Sequence, residues 1–329
     1  MIFDPNGPGN TRANIFGFNY SEEESDIIIV PVPWDVTCSL KKGTSNAPDR
    51  ILKVSPQLDF YHPLYKKAWE KKVHMLTIDE AILEESRTLG IKADKLIAKQ
   101  EIGQVLTNSD KKELLEINKA CEKLVSKIEA GVKSYLNKGK KAIVLGGDHS
   151  NSLGSILAHK TKCNEFGILQ IDAHMDLRNT YEGFTHSHAS VMYNVAEKTG
   201  LPIVEVGIRD CAPVEVKYAE KSDVKVFYDQ ITKSRLYSGD TWGDIVKEII
   251  DALPNKVYLS IDIDGLKPHL CPNTGTPVPG GLEFEELAYL LNEVSKKKQI
   301  IGADLVEAGN EPWDGNVGAR VLWEICQII

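Results

Sequence analysis

The stretch Phe166-Gly167-Ile168-Leu169-Gln170-Ile171-Asp172-Ala173-His174-Met175-Asp176 decides the fold. A short apolar, β-prone run leads directly into three side chains of metal-ligand type spaced two residues apart. Successive side chains of a strand point to opposite faces, so Asp172, His174 and Asp176 can converge on one point. Two further segments have the same construction. Ala142-Ile143-Val144-Leu145 precedes Gly146-Gly147-Asp148-His149-Ser150, and Val257-Tyr258-Leu259 precedes Ser260-Ile261-Asp262-Ile263-Asp264. Together they supply His149, Asp172, His174, Asp176, Asp262 and Asp264 at the C-terminal ends of predicted strands, where open α/β sheets bind ligands.

Four carboxylates in one cleft repel one another unless cations neutralise them, and two divalent ions would do so. A single Asp-x-His-x-Asp reads equally well as surface acids beside a satisfied histidine; three such segments on three strands do not. Oxygen-rich ligands with two imidazoles and no thiolate suit Mn²⁺, or Ni²⁺, better than a closed zinc site. Two ions about 3.5–4 Å apart share a water and make it a nucleophile at neutral pH. Asp172 and Asp262, which open their motifs, are the natural bridges. The expected chemistry is hydrolysis.

Working outward, strands and helices alternate. Strands are expected at 26–30, 142–145, 166–171, 203–208, 224–228, 257–263 and 300–306. Helices are expected near Pro48 and over 117–132, 152–162, 189–198, 240–253, 283–296 and 316–328. Such alternation predicts a three-layer αβα fold, a mainly parallel sheet of about eight strands covered on both faces. With no repeat or linker, residues 1–329 read as one domain. Residues 1–25 read as an extended arm. Residues 60–110, with a helical patch at 92–100, read as an insertion packed on the sheet edge.

The net charge of −8, with no basic run beyond Lys296-Lys297-Lys298, argues against nucleic acid and anionic membranes as partners. Six scattered cysteines without a Cys-x-x-Cys read as reduced thiols, Cys271 among them. No basic-then-apolar leader opens the chain and no run of about twenty apolar residues could span a bilayer, so a cytoplasmic protein is expected.

Gly-Gly-Asp-His-Ser, Asp-Ala-His-x-Asp and Ser-x-Asp-x-Asp-Gly-Leu-x-Pro resemble the ureohydrolase family of arginases, agmatinases and guanidinobutyrases. The resemblance runs from about Val30 to the C-terminus and takes in 274–282 and Gly302-Ala303-Asp304-Leu305-Val306-Glu307. It implies an arginase/deacetylase-like fold and a homo-oligomer, commonly a trimer or hexamer. It implies one ion on His149, Asp172, Asp176 and Asp262 and another on Asp172, His174, Asp262 and Asp264, with Mn²⁺ the usual ion. It also implies that Glu307 pairs with the substrate guanidinium and that a loop histidine shuttles a proton to the leaving amine. His188 matches that histidine, although Ala189 stands where the family usually has glycine, and His186 is the alternative two residues earlier.

The stretch 177–185 lacks the Asn- and Ser-rich pattern of arginases. Tyr181-Glu182-Gly183-Phe184 with His-Ala-Ser resembles an agmatinase-like subgroup that also contains nickel-dependent free-guanidine hydrolases. Agmatine, giving putrescine and urea, is the first expectation. Free guanidine or a guanidino acid follows, and arginine comes last. Arg178 and Asn179 either line the entrance or cap the next helix. A two-metal phosphoesterase would need more histidines than His269 after His188, and a one-metal deacetylase fewer carboxylates. A metal-stabilised interaction protein is the non-enzymatic alternative.

Overall fold

The computed structural model describes residues 4–329; Met1, Ile2 and Phe3 of the expected arm lie outside it. Among the described residues there are eight strands: β1 (Ile27–Val32), β2 (Val73–Met75), β3 (Lys141–Gly146), β4 (Gly167–Ile171), β5 (Ile203–Ile208), β6 (Val224–Tyr228), β7 (Lys256–Asp262) and β8 (Gln299–Val306). Every pairing is parallel, and the order across the sheet is β2-β1-β3-β8-β7-β4-β5-β6. The chain therefore fills one flank through β3, crosses to β4 and builds the other flank, then returns to place β7 and β8 in the gap. The three ligand-bearing segments and Glu307 leave β3, β8, β7 and β4, four adjacent strands at the centre.

The strands are buried on both faces, and alternate side chains enter different cores. Ile143, Leu145, Leu169 and Ile171 join one core with residues of α1 (Ala47–Val54), α8 (Trp242–Ala252), α9 (Phe284–Lys297) and α10 (Pro312–Ile328). On the opposite face Ala142 and Val144 pack with α2 (Glu80–Glu101) and α3 (Asn108–Asn137). Ile168 and Tyr258 pack there with α4 (Ser152–Lys160), α5 (Val191–Thr199) and α6 (Pro213–Ala219). A further helix, α7 (Asp229–Tyr237), follows β6. Pro31 is tolerated within β1 because β2 pairs only with Ile27, Ile28 and Ile29, leaving that side of Pro31 without a strand to receive an N–H.

Two regions depart from the sequence reading. The segment expected as an extended arm folds onto the core: Ile15, Phe16 and Phe18 are fully buried. The Phe16 ring stands edge-on to Trp323 at 4.9 Å, and its N–H donates to Ser55 Oγ at 2.8 Å. Residues 60–110 hold more than an insertion against the sheet, since they supply its edge strand β2 and all of α2. Helices α6 and α7 were not anticipated, and α10 begins at Pro312 rather than near 316. No helix among the described residues is long and apolar enough to cross a membrane.

Candidate metal centre

Each ligand segment is fixed by its own backbone. After β3 the chain passes so close to the neighbouring loop that a Cβ on Gly147 would lie 2.0 Å from the Trp34 carbonyl oxygen, so this position accepts only glycine. Asp148 then caps the turn that carries His149, its Oδ1 accepting from the Ser150 N–H at 3.1 Å and from the Ser150 hydroxyl. Beyond β4, Asp172 Oδ1 accepts from the His174 N–H at 2.7 Å, and beyond β7, Asp262 Oδ1 accepts from the Asp264 N–H at 2.8 Å. Asp264 Oδ1 crosses to the Ala173 N–H at 3.0 Å and ties the two segments together. Three aspartates are thus each anchored through one oxygen on a backbone N–H, and Asp172 directs both of its oxygens to the cluster.

The inward oxygens form two groups. Asp172 Oδ2 and Asp176 Oδ2 each lie 3.0 Å from His149 Nδ1, with Asp262 Oδ2 at 3.5 Å. His174 Nδ1 has Asp264 Oδ2 at 3.1 Å and Asp172 Oδ1 at 3.5 Å. Asp172 belongs to both and offers one oxygen to each. His149 Nδ1 is buried and makes no hydrogen bond, although three carboxylate oxygens surround it. An orphaned ring nitrogen ringed by acids fits a cation seated between them. Burial, then the charge of Asp172, pushes the Asp176 carboxyl up to about 7. Burial, then Asp264 and Asp172, raises Asp262 well above the usual carboxylate range.

The ligands are themselves held in place. Gln170 Nε2 donates to Asp172 Oδ2 at 2.8 Å and to the His174 carbonyl at 3.2 Å. His149 Nε2 lies 3.0 Å from Ser260 Oγ, whose hydroxyl donates to Asp304 Oδ1 at 2.9 Å. Asp176 and Glu307 both adopt left-handed backbone, with φ of 54° and 59°. For non-glycine residues this costs roughly 1–3 kcal/mol each and concentrates where function requires a particular geometry.

Glu307, just past β8, is 2 % exposed, and its Oε1 accepts from the His149 N–H at 3.1 Å. Burial, then Asp148, holds its carboxyl well above the usual range. His188 Nδ1 lies 3.7 Å from Glu307 Oε1, and its Nε2 is 3.4 Å from Ser39 Oγ. His186 is elsewhere, with Nδ1 against Thr185 Oγ1 at 3.2 Å. A cavity of about 240 Å³ opens onto His174, Asp176 and His188 from an outer wall of Arg178, Tyr181 and Asp210. Arg178 therefore lines the entrance, stacked 4.6 Å from the Tyr181 ring centre with its Nε 3.6 Å from Glu215 Oε2.

Two neighbours of the site escaped the sequence reading. Asp210 is joined to His174 by a parallel bridge, so the ligand loop carries it to the cavity. Cys38, from the loop after β1, reaches Glu307. Cys271 is a buried thiol, as expected, and accepts from the Gly309 N–H.

Comparison with known proteins identifies the family. The model of the arginase family matches residues 25–326. An N(1)-aminopropylagmatine ureohydrolase of Thermus thermophilus is 31 % identical over 87 % of this chain and 83 % of its own. An agmatinase of Pyrococcus horikoshii is 29 % identical over 88 % and 86 %. The agmatine ureohydrolase of Thermoplasma volcanium shares the fold with a TM-score of 0.71 at 22 % identity, covering 99 % of this chain and 94 % of that one. The chain belongs to the arginase family, metal-dependent hydrolases that act on the C–N bonds of amidino groups.

Proposed function

We propose that this protein hydrolyses a guanidino compound with a cationic amine tail, in the manner of an agmatinase, releasing urea and an amine. The observation that carries the reading is the juxtaposition of the paired carboxylate–imidazole clusters, which share Asp172, with the Glu307–His188 pair at 3.7 Å. His149, Asp172, Asp176 and Asp262 would hold one ion and Asp172, His174, Asp262 and Asp264 the other, with Mn²⁺ the first choice and Ni²⁺ the second. When bound, the ions generate a nucleophile from water at neutral pH.

The chain's own residues supply the rest. The Glu307 carboxylate pairs with the planar guanidinium through parallel charge-assisted hydrogen bonds and fixes its plane. The pairing favours the charged carboxylate that burial opposes. His188 Nδ1 stands beside that carboxylate, within reach of a nitrogen held by it, and moves a proton onto the departing amine. At the outer wall Glu215 faces Arg178, which leaves the exposed Asp210 as the charge offered to the tail. This supports an ammonium tail over a carboxylate one, and the relatives named for agmatine and N(1)-aminopropylagmatine carry such tails.

The test is urea release from protein reconstituted with Mn²⁺ or Ni²⁺, with agmatine, N(1)-aminopropylagmatine, 4-guanidinobutyrate, arginine and free guanidine offered in parallel. Urea from the amine-tailed substrates is the expected result. Faster turnover of the guanidino acid or of free guanidine replaces the substrate, and no urea from any of them removes the enzymatic reading.

A further inference from the structure

The proposed hydrolysis makes no use of the thiol beside its guanidinium-facing carboxylate. Cys38 is 2 % exposed, with Sγ 3.7 Å from Glu307 Oε2 and 4.0 Å from Oε1. His188 Nδ1 approaches the same carboxylate at 3.7 Å, and one ligand atom from each of the three residues lies within 4.8 Å of the other two. The residues come from the loop after β1, the loop after β4 and the end of β8, so tertiary structure alone makes this convergence.

We propose that Cys38, His188 and Glu307 form a third metal site, selective for a soft divalent cation of the Zn²⁺ class, whose occupation excludes the guanidino substrate. A tetrahedral ion with sulfur at about 2.3 Å and nitrogen and oxygen at about 2.0–2.1 Å sets ligand-to-ligand edges of about 3.3–3.5 Å. Measured to the one oxygen that both approach, Glu307 Oε1, the sulfur–oxygen separation of 4.0 Å and the nitrogen–oxygen separation of 3.7 Å need closure of up to about half an ångström. With Ser39 Oγ on the Nε2 side of His188, a proton on Nε2 leaves the Nδ1 lone pair facing the site. Thiolate selects soft ions, whereas the six residues of the paired clusters include no sulfur and suit harder ones. Binding releases the Cys38 thiol proton to solvent. The ion engages Glu307 and His188 together, so its competition with substrate rests on the function proposed above, while its existence does not.

The site has a spectroscopic signature that needs no turnover. Titration of the metal-free full chain with Co²⁺ is expected to reach three equivalents and to produce thiolate-to-cobalt charge-transfer absorption in the near ultraviolet. Cys38→Ser should stop at two equivalents without that absorption and should still release urea when loaded with Mn²⁺. Added Zn²⁺ should inhibit the Mn²⁺-loaded wild type competitively against substrate, with half-inhibition moved at least roughly tenfold higher in Cys38→Ser. Zinc-edge X-ray absorption of the wild type with three equivalents reads the sulfur ligand without any substitution. No zinc–sulfur scattering, or a cobalt band that survives Cys38→Ser, overturns the proposal. A sulfur band in a protein that releases no urea upholds the site and removes only the substrate reading.

Discussion

His149 Nε2 lies 3.0 Å from Ser260 Oγ, and this pairing selects the ring nitrogen left to face the carboxylates. The Ser260 hydroxyl already donates to Asp304 Oδ1 at 2.9 Å, so toward His149 it can only accept. Nε2 must then carry the proton, and Nδ1 presents its lone pair to Asp172, Asp176 and Asp262. A buried acid on β8 thus sets the tautomer of a histidine beyond β3 through a serine on β7.

Ser260→Ala should weaken metal binding by roughly 10- to 100-fold, the usual cost of losing the partner behind a ligating histidine. Competition against a chelator of known affinity measures it. An unchanged affinity would show that the tautomer is set some other way.

Asp172 offers an oxygen to each group, at 3.0 Å from His149 Nδ1 and 3.5 Å from His174 Nδ1. Asp172→Asn should therefore lose both ions, while Asp264→Asn, placed at the second group alone, should lose one. Elemental analysis after reconstitution gives the stoichiometry. Two ions retained by Asp172→Asn would end the shared-ligand reading.

The central strands were legible because each is an apolar β-prone run ending in closely spaced ligands. Asp172, His174 and Asp176 are neighbours in the sequence as well as in space. Legibility failed where the signal was short or non-local. β2 has only three residues, too few for an alternation to register. Phe16 and Phe18 are bracketed by Gly, Asn and Glu, so local composition concealed two core aromatics. The Cys38–Glu307 contact joins residues 269 positions apart, and the His149–Ser260 contact joins residues 111 apart. No periodicity announces a pairing of that kind; only the strand order brings it about.

His159 makes the fold sensitive to acid independently of the metal centre. It is 3 % exposed on α4, with Nδ1 2.8 Å from the Ser155 carbonyl, and a Cβ on Gly302 would fall 2.2 Å from its Nε2. Burial brings its pKa from 6.5 down to about 4. Between those values the unfolded chain binds a proton that the native state refuses, so stability falls as pH drops through this window. The loss approaches about 3 kcal/mol once pH is below both values. Denaturant unfolding of metal-free protein at pH 7 and pH 5 should show a larger loss for wild type than for His159→Gln. Parallel losses would exclude His159 as the source.

The proton path separates two histidines that sit two residues apart. His188 is 8 % exposed, lines the cavity and lies 3.7 Å from Glu307, whereas His186 turns toward Thr185. Burial, then the neighbouring His174 and His149, brings the His188 pKa down to about 3. At neutral pH it is an acceptor first, and it protonates the leaving nitrogen only after taking a proton within the site. His188→Ala should keep both ions and its substrate affinity yet turn over roughly 10²- to 10⁴-fold more slowly. His186→Ala should stay near wild type. Steady-state kinetics with metal content measured on the same samples decides the matter. A large defect in His186→Ala beside a silent His188→Ala would transfer the role to the outer histidine. If both were silent, solvent would protonate the leaving group.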